Sequence, residues 1–243
     1  MTSLPAASAV AIPLGGLRLA GRLHRPRSPA VGAAVVAHGL NSSMQSAKLG
    51  RLAQALAGRG WLALQYDAQG CGDSPGEVRQ TSLSGRRDEL LAAAAFLAEL
   101  APGLPLAYLG SSLGGSAAIL AADLAPPAAL VCWSTPIDWL ELLARMSRRP
   151  DPPDLPALAA DIPGHDFDAC LARLSRVLFV HGQADEVAPV DQARRGHALA
   201  QAPKQLMILP GADHRLSRLA DQDRAIAATL AWLGRCLEES EKA

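Results

Sequence analysis

Six short apolar runs punctuate the chain: Gly32–Ala37, Trp61–Tyr66, Leu104–Leu109, Ala128–Trp133, Val177–Val180 and Gln205–Leu209. Between them lie stretches that read as helices, at Ser46–Arg59, Arg86–Leu100, Leu113–Leu124, Val190–Gln201 and Leu216–Cys236. Strands alternating with helices argue for an α/β fold, a mostly parallel sheet wrapped by helices. The runs are continuously apolar rather than alternating, as strands buried on both faces require. Ahead of them, Val10–His24 carries two short apolar stretches around Gly15-Gly16, the pattern of an opening hairpin. One segment breaks the rhythm. Residues 136–173 are rich in Asp and hold Pro136, Pro150, Pro152, Pro153, Pro156 and Pro163. This segment is expected to add a small cap insertion to the crossover, since long connections in compact domains are often lids or binding loops. The whole span, 1–243, is read as one domain carrying that insertion.

Composition removes several classes of function. Lys plus Arg and Asp plus Glu are both 23, so no global charge draws the chain to nucleic acid or an anionic membrane. The longest apolar run, Leu90–Ala98, is nine residues, against the about 20 of a membrane-spanning helix. The first basic residue is Arg18, so the N-terminus is not expected to act as a secretory signal. Cys71, Cys132, Cys170 and Cys236 are widely spaced with no C-x-x-C, which supports neither a zinc site nor a disulfide framework. A cytoplasmic location is the expectation.

The strongest chemical signal is Leu109-Gly110-Ser111-Ser112-Leu113-Gly114-Gly115, which follows an apolar run and opens an Ala-rich helix. Gly110, Ser112 and Gly114 satisfy G-x-S-x-G, the sharp strand-to-helix turn that projects a serine hydroxyl from the sheet edge. Ser111 falls one place early, so Ser112 is the expected nucleophile. A serine hydroxyl needs a base. His214 follows the last apolar run and precedes the final helix, at the same sheet end as Ser112. Of the other histidines, His24 lies in the N-terminal region and His197 within a helical pattern; His38 and His181 precede glycines at strand ends. The base needs a carboxylate to fix its tautomer. Asp185, just past the Val177–Val180 run, is the expected acid; Asp138, one strand earlier, is its rival, and Glu186 and Asp213 are neighbours of the pair. The order Ser112, Asp185, His214 is nucleophile, acid, base. For the oxyanion, one N–H is expected from Leu113 and a second from Leu40, in the polar loop after His38-Gly39. The cluster Asp161–Asp168 fits no recognised metal spacing, and no metal is expected.

On His38-Gly39, Asp67-Ala-Gln-Gly-Cys-Gly-Asp-Ser74, Gly110-x-Ser112-x-Gly114, His181-Gly-x-x-Asp185 and His214, the chain resembles the α/β-hydrolase superfamily from about Val31 to the last helix. Within it, it is similar to small bacterial esterases and serine-aminopeptidase-like hydrolases. The resemblance implies a sheet of about eight strands, a cap after the sixth, and no cofactor. In one place the pattern departs: these relatives read D-x-R-G-x-G-x-S, and here Gln69 stands where the arginine would be.

The expected activity is therefore hydrolysis of a small-molecule carboxylic ester with a small or medium acyl group, through an acyl-enzyme. Amide, peptide and thioester bonds yield to the same machinery, as does acyl transfer. A non-catalytic binding module on this fold is the third alternative, and it would typically have lost a triad member. Trp133, Trp139, Met146 and Phe167, in or beside the insertion, are candidates to line an acyl pocket; a small core of the cap itself is the competing use for them. Oligomeric state is not specified by the sequence.

Overall fold

The computed structural model describes residues 7–240. The first six residues, which carry part of the N-terminal reading above, and the last three lie outside the described residues.

The chain opens as an antiparallel hairpin, β1 (Ala7–Leu14) and β2 (Leu17–His24), closed at Gly15-Gly16 with Gly15 at a φ of +55°. The six apolar runs become β3 (Gly32–Ala37), β4 (Trp61–Tyr66), β5 (Leu106–Ser111), β6 (Ala129–Trp133), β7 (Val177–Gly182) and β8 (Lys204–Leu209). All eight form one open sheet in the order β1-β2-β4-β3-β5-β6-β7-β8, parallel from β4 to β8 and antiparallel at the hairpin edge. The helices are α1 (Ala47–Gly58), α2 (Leu83–Leu100), α3 (Leu113–Leu124), α4 (Trp139–Met146), α5 (Pro156–Asp161), α6 (Phe167–Arg173), α7 (Val190–Leu199) and α8 (Leu219–Ser240). None among the described residues is long and apolar enough to cross a membrane.

Side chains alternate faces along a strand, which explains why the runs are apolar throughout. Ala33, Val35 and Ala37 of β3 pack in the layer of α2, α3 and the residues after β6, while Ala34 and Val36 pack in the layer of α1 and α8. Val177 and Phe179 of β7 join the first layer, Leu178 and Val180 the second. The result is three layers, helices on both sides of one sheet.

Two helix starts differ from the sequence reading by three residues, each for a local reason. α2 starts at Leu83 rather than Arg86 because the Ser82 hydroxyl accepts the Gly85 N–H at 2.9 Å and so caps the helix three residues earlier. α8 starts at Leu219 rather than Leu216, which sits at a φ of +51° and cannot continue a right-handed helix.

The Pro- and Asp-rich segment between β6 and β7 folds as α4, α5, a 3-10 turn at Ile162–Gly164 and α6. Its hydrogen bonds explain its composition. The Asp138 and Asp166 carboxylates cap α4 and α6. Asp161 accepts from the Ser84 N–H and hydroxyl, both at 2.8 Å, and lies 3.0 Å from His165 Nε2, tying α5 to α2. The acid-rich cluster thus holds the insertion down. Among the described residues no group of three or more His, Cys, Asp or Glu is arranged to hold a metal ion.

Strand order places the chemistry. From β3 the chain steps to β4 on one side, then returns to β5 on the other. At such a switch point the loops at the carboxyl ends diverge and leave a crevice, where open α/β sheets bind ligands. The loops that leave β3 and β5 carry Gly39-Leu40 and Ser112.

Candidate active site

Ser112 occupies the turn between β5 and α3 with φ +55° and ψ −124°, the only residue of G-x-S-x-G at positive φ. The turn is this tight because its glycines are in backbone contact. A Cβ on Gly110 would run into the Gly114 carbonyl, and one on Gly114 would strike the carbonyl oxygen of Ala37 on β3. The Ser112 N–H donates to the Trp133 carbonyl at 2.9 Å, which locks the turn to β6.

His214 and Asp185 arrive on the loops after β8 and β7. These loops are stitched together: Gln183 N–H donates to the Leu209 carbonyl and Ala184 N–H to that of Ala212, each at 2.9 Å. His214 Nε2 lies 3.0 Å from Ser112 Oγ, and its Nδ1 lies 2.8 and 3.0 Å from the two Asp185 oxygens. Nδ1 faces a carboxylate, so it carries the proton, and Nε2 is left to accept from the serine hydroxyl. Ser112 and the His214 ring remain partly open to solvent, whereas the Asp185 side chain is fully buried.

Asp185 is heavily hydrogen-bonded. Its Oδ1 accepts the N–H groups of Val187 at 2.9 Å and Ala188 at 2.8 Å, and His181 Nε2 lies 3.1 Å from Oδ2. Burial by itself acts to raise the Asp185 pKa, but hydrogen bonds from His181 and His214 overcome it and hold the carboxyl well below the usual range. The Asp185 carboxyl therefore stays ionised opposite the His214 ring. Asp138 is committed elsewhere, to the α4 cap through Glu141 N–H at 2.9 Å and to Arg195 at 3.8 Å. Glu186 accepts the His214 backbone N–H at 3.3 Å.

Leu113 is the first residue of α3, where N–H groups lack helical partners. Leu40 lies in the loop after β3. Among the described residues neither N–H is engaged by a protein acceptor.

The four suggested pocket residues divide. Trp133 is corrected: strand alternation turns it to the α1/α8 face, where it packs with Leu209 and Trp232 and donates from Nε1 to Thr229 Oγ1 at 3.1 Å. It sits on the opposite face from the insertion and lines no pocket beneath it. Trp139 and Phe167 are buried in the layer between the insertion and α3, and the Trp139 indole donates to Ser116 Oγ at 3.0 Å. Met146, at the end of α4, is half-buried. A groove of about 260 Å³ is lined by Leu120, Asp123, His165, Cys170 and Arg173. It lies along the far half of α3, more than two helical turns, or roughly 12 Å, from Ser112.

Three features escaped sequence reasoning. Lys48 on α1 donates to Ser111 Oγ at 3.0 Å, and burial pushes its ammonium down to about 8. His181 backs the acid. Arg86 on α2 is buried beside the β3 loop and donates to the Gly39 carbonyl at 3.3 Å. No local signal marked Arg86, which stands in a run of charged residues, Arg86-Arg87-Asp88-Glu89, that reads as a solvated helix face.

This sheet, with a serine at the β5 elbow and an acid and a histidine after β7 and β8, defines an α/β hydrolase. The chain belongs to the family described as Serine aminopeptidase, S33, which matches residues 28–165. An uncharacterized protein of Mycobacterium tuberculosis is 31% identical over 208 residues, 85% of this chain and 71% of its own. Among solved structures, Est1E from Butyrivibrio proteoclasticus with bound ferulic acid superposes at a TM-score of 0.79 with 18% identity, over 93% of this chain and all of its own. The esterase domain of a Rhodothermus marinus protein gives 0.78 and 22%, over 95% and 98%. At these identities the two structures show a shared fold.

Proposed function

We propose that this hydrolase is a serine carboxylesterase acting on small-molecule esters of small or medium acyl groups through an acyl-enzyme intermediate. The observation that carries the reading is the continuous chain from Ser112 Oγ through His214 to the buried Asp185, at 3.0 and 2.8 Å.

In this mechanism His214 Nε2 takes the Ser112 proton as Oγ attacks the ester carbonyl, and Asp185 stabilises the imidazolium that forms. The N–H groups of Leu40 and Leu113 receive the negative charge on the tetrahedral intermediate. One such donor is worth about 10²–10³ in kcat. Collapse breaks the C–O bond, and His214 returns its proton to the departing alkoxide. Water, deprotonated by the same nitrogen, then attacks the acyl-serine and releases the acid.

The preference for short acyl groups rests on the insertion. Its three short helices and single 3-10 turn put Trp139 and Phe167 into packing against α3, with Met146 half-buried against the same core. Its apolar side chains are therefore engaged with one another rather than arranged to cover a long chain. The family description favours amides as a second reading, since the same triad cleaves peptide bonds once His214 protonates the leaving amine.

A panel of chromogenic esters of graded acyl length, run beside amino-acid amides, separates these readings. Ser112→Ala is expected to abolish turnover and fluorophosphonate labelling, and Ser111→Ala to abolish neither. An intact-mass adduct on the Ser112→Ala protein would refute the assignment.

A further inference from the structure

We propose that Arg86 is a positioning residue for the oxyanion hole, fixing the peptide between Gly39 and Leu40 so that the Leu40 N–H faces the reacting carbonyl. This rests on the serine-hydrolase reading above and assigns that site a residue on a distant helix.

The Gly39 carbonyl oxygen accepts from two donors. One is His38 Nδ1 at 2.8 Å, the other Arg86 Nη2 at 3.3 Å. His38 is committed to that tautomer because its Nε2 accepts the Ala68 N–H at 3.1 Å. Burial, reinforced by the Arg86 charge, pushes the His38 pKa down to about 3, so the ring stays neutral and keeps this donor pattern. Both lone pairs of the oxygen are thus spoken for. In a trans peptide the next N–H points opposite to the carbonyl. Whatever holds the Gly39 oxygen therefore aims the Leu40 N–H.

The peptide lies against the nucleophile. A Cβ on Gly39 would come within 3.0 Å of Ser112 Cβ and 3.1 Å of the Ser111 carbonyl oxygen, so any side chain here would push the loop back from the elbow by a few tenths of an ångström. Rotating the peptide would pull its oxygen away from a neutral donor and a cation that are both buried.

The pair formed by Arg86 and Glu89 is poorly explained as a stabilising ion pair. Both side chains are about 95% buried, their closest charged atoms are 3.7 Å apart, and Arg86 Nε and Glu89 Oε2 have no hydrogen-bond partner. Buried pairs with incomplete hydrogen bonding commonly cost stability relative to apolar replacements. Glu89 Oε1 accepts the Gln69 N–H at 2.9 Å, while the Gln69 side chain turns away to Gln80. The cation beside this loop therefore comes from α2, with Glu89 as its counter-charge.

The test compares the wild-type chain with Arg86→Met/Glu89→Gln, which removes the guanidinium without stranding a buried carboxylate, and with Arg86→Lys. Circular dichroism establishes that each is folded. In the double variant kcat is expected to fall about 10- to 100-fold with KM within about twofold. Affinity for a trifluoromethyl ketone, which forms an oxyanion on Ser112, should fall by the same factor, and that for the product carboxylate should not. Arg86→Lys should recover part of the loss. Unchanged kcat and ketone affinity in the folded double variant, or a change confined to KM, would overturn the assignment. Failure of the wild type to take a fluorophosphonate at Ser112 would overturn the functional reading and this inference with it; labelling together with an unaffected variant overturns the inference alone.

Discussion

Ser112 holds a backbone conformation that costs a residue with a side chain about 1–3 kcal/mol. The contacts of β5 with β3 and β6 impose it, through Gly114 packed on the Ala37 carbonyl and the Ser112 N–H on Trp133. The choice between Asp185 and Asp138 as the proposed acid is tested at the same scale. Asp185→Asn allows the wrong His214 tautomer and is expected to lower kcat about 10⁴-fold. Asp138→Asn keeps a good helix cap and should leave kcat within a few-fold, with little change in Tm. A dead Asp138→Asn beside an active Asp185→Asn would move the acid to the loop after β6. Lys48 makes a separate prediction. Burial takes its pKa from 10.5 down to about 8 against the raising charges of Asp213 and Asp185, with Arg215 lowering it further. Between those values the unfolded chain binds more protons than the folded one, so this group adds stability as pH rises from about 8 to 10.5. Relative to Lys48→Met, the wild type should gain in Tm across that window; a difference constant with pH would refute it.

At the scale of elements, the helices of the insertion owe their position to anchors outside it. Ser116 of α3 receives the Trp139 indole and donates to the Pro136 carbonyl at 2.7 Å, while Gln192 of α7 accepts the N–H groups of Ile137 and Asp138. Trp139→Ala empties a buried site and strands the Ser116 oxygen. It is expected to cost about 3–5 kcal/mol of stability by denaturant titration. Ser112 labelling of the folded fraction should persist, while selectivity among acyl groups shifts. A stability within about 0.5 kcal/mol of wild type would show that α4 is not held this way. Acyl length reads the same element. Each buried methylene is worth about 0.8 kcal/mol, so kcat/KM should rise over the first few carbons and then level off. A steady climb through long chains, measured below their micellar concentrations, would contradict the proposed preference for short or medium acyl groups.

Across the whole molecule, buried groups with depressed pKa values make the fold sensitive to acid, with the raised Glu89 acting in the opposite sense. His38 falls from 6.5 to about 3, His24 moves in the same direction, and Asp185 lies below its ordinary 3.8. Below pH 6.5 the unfolded chain takes up protons that the folded chain refuses, so stability is lost from there downward, and Asp185 adds to the loss at lower pH. Tm should fall steadily from pH 7 to 4, and His38→Asn should flatten that slope. An equally steep slope in His38→Asn would place the acid sensitivity elsewhere. The sequence alone determined the layers, the six parallel strands, α3 from Leu113 to Leu124, and the serine, acid and histidine as candidates, because strand burial and turn chemistry are local and periodic. Only the tertiary structure decided the strand order, the face on which Trp133 lies, the packing of the insertion, and the meetings of His181 with Asp185, Lys48 with Ser111 and Arg86 with Gly39. Those depend on contacts between residues on different elements, up to tens of positions apart, and no periodicity in the chain encodes which side chain reaches which loop.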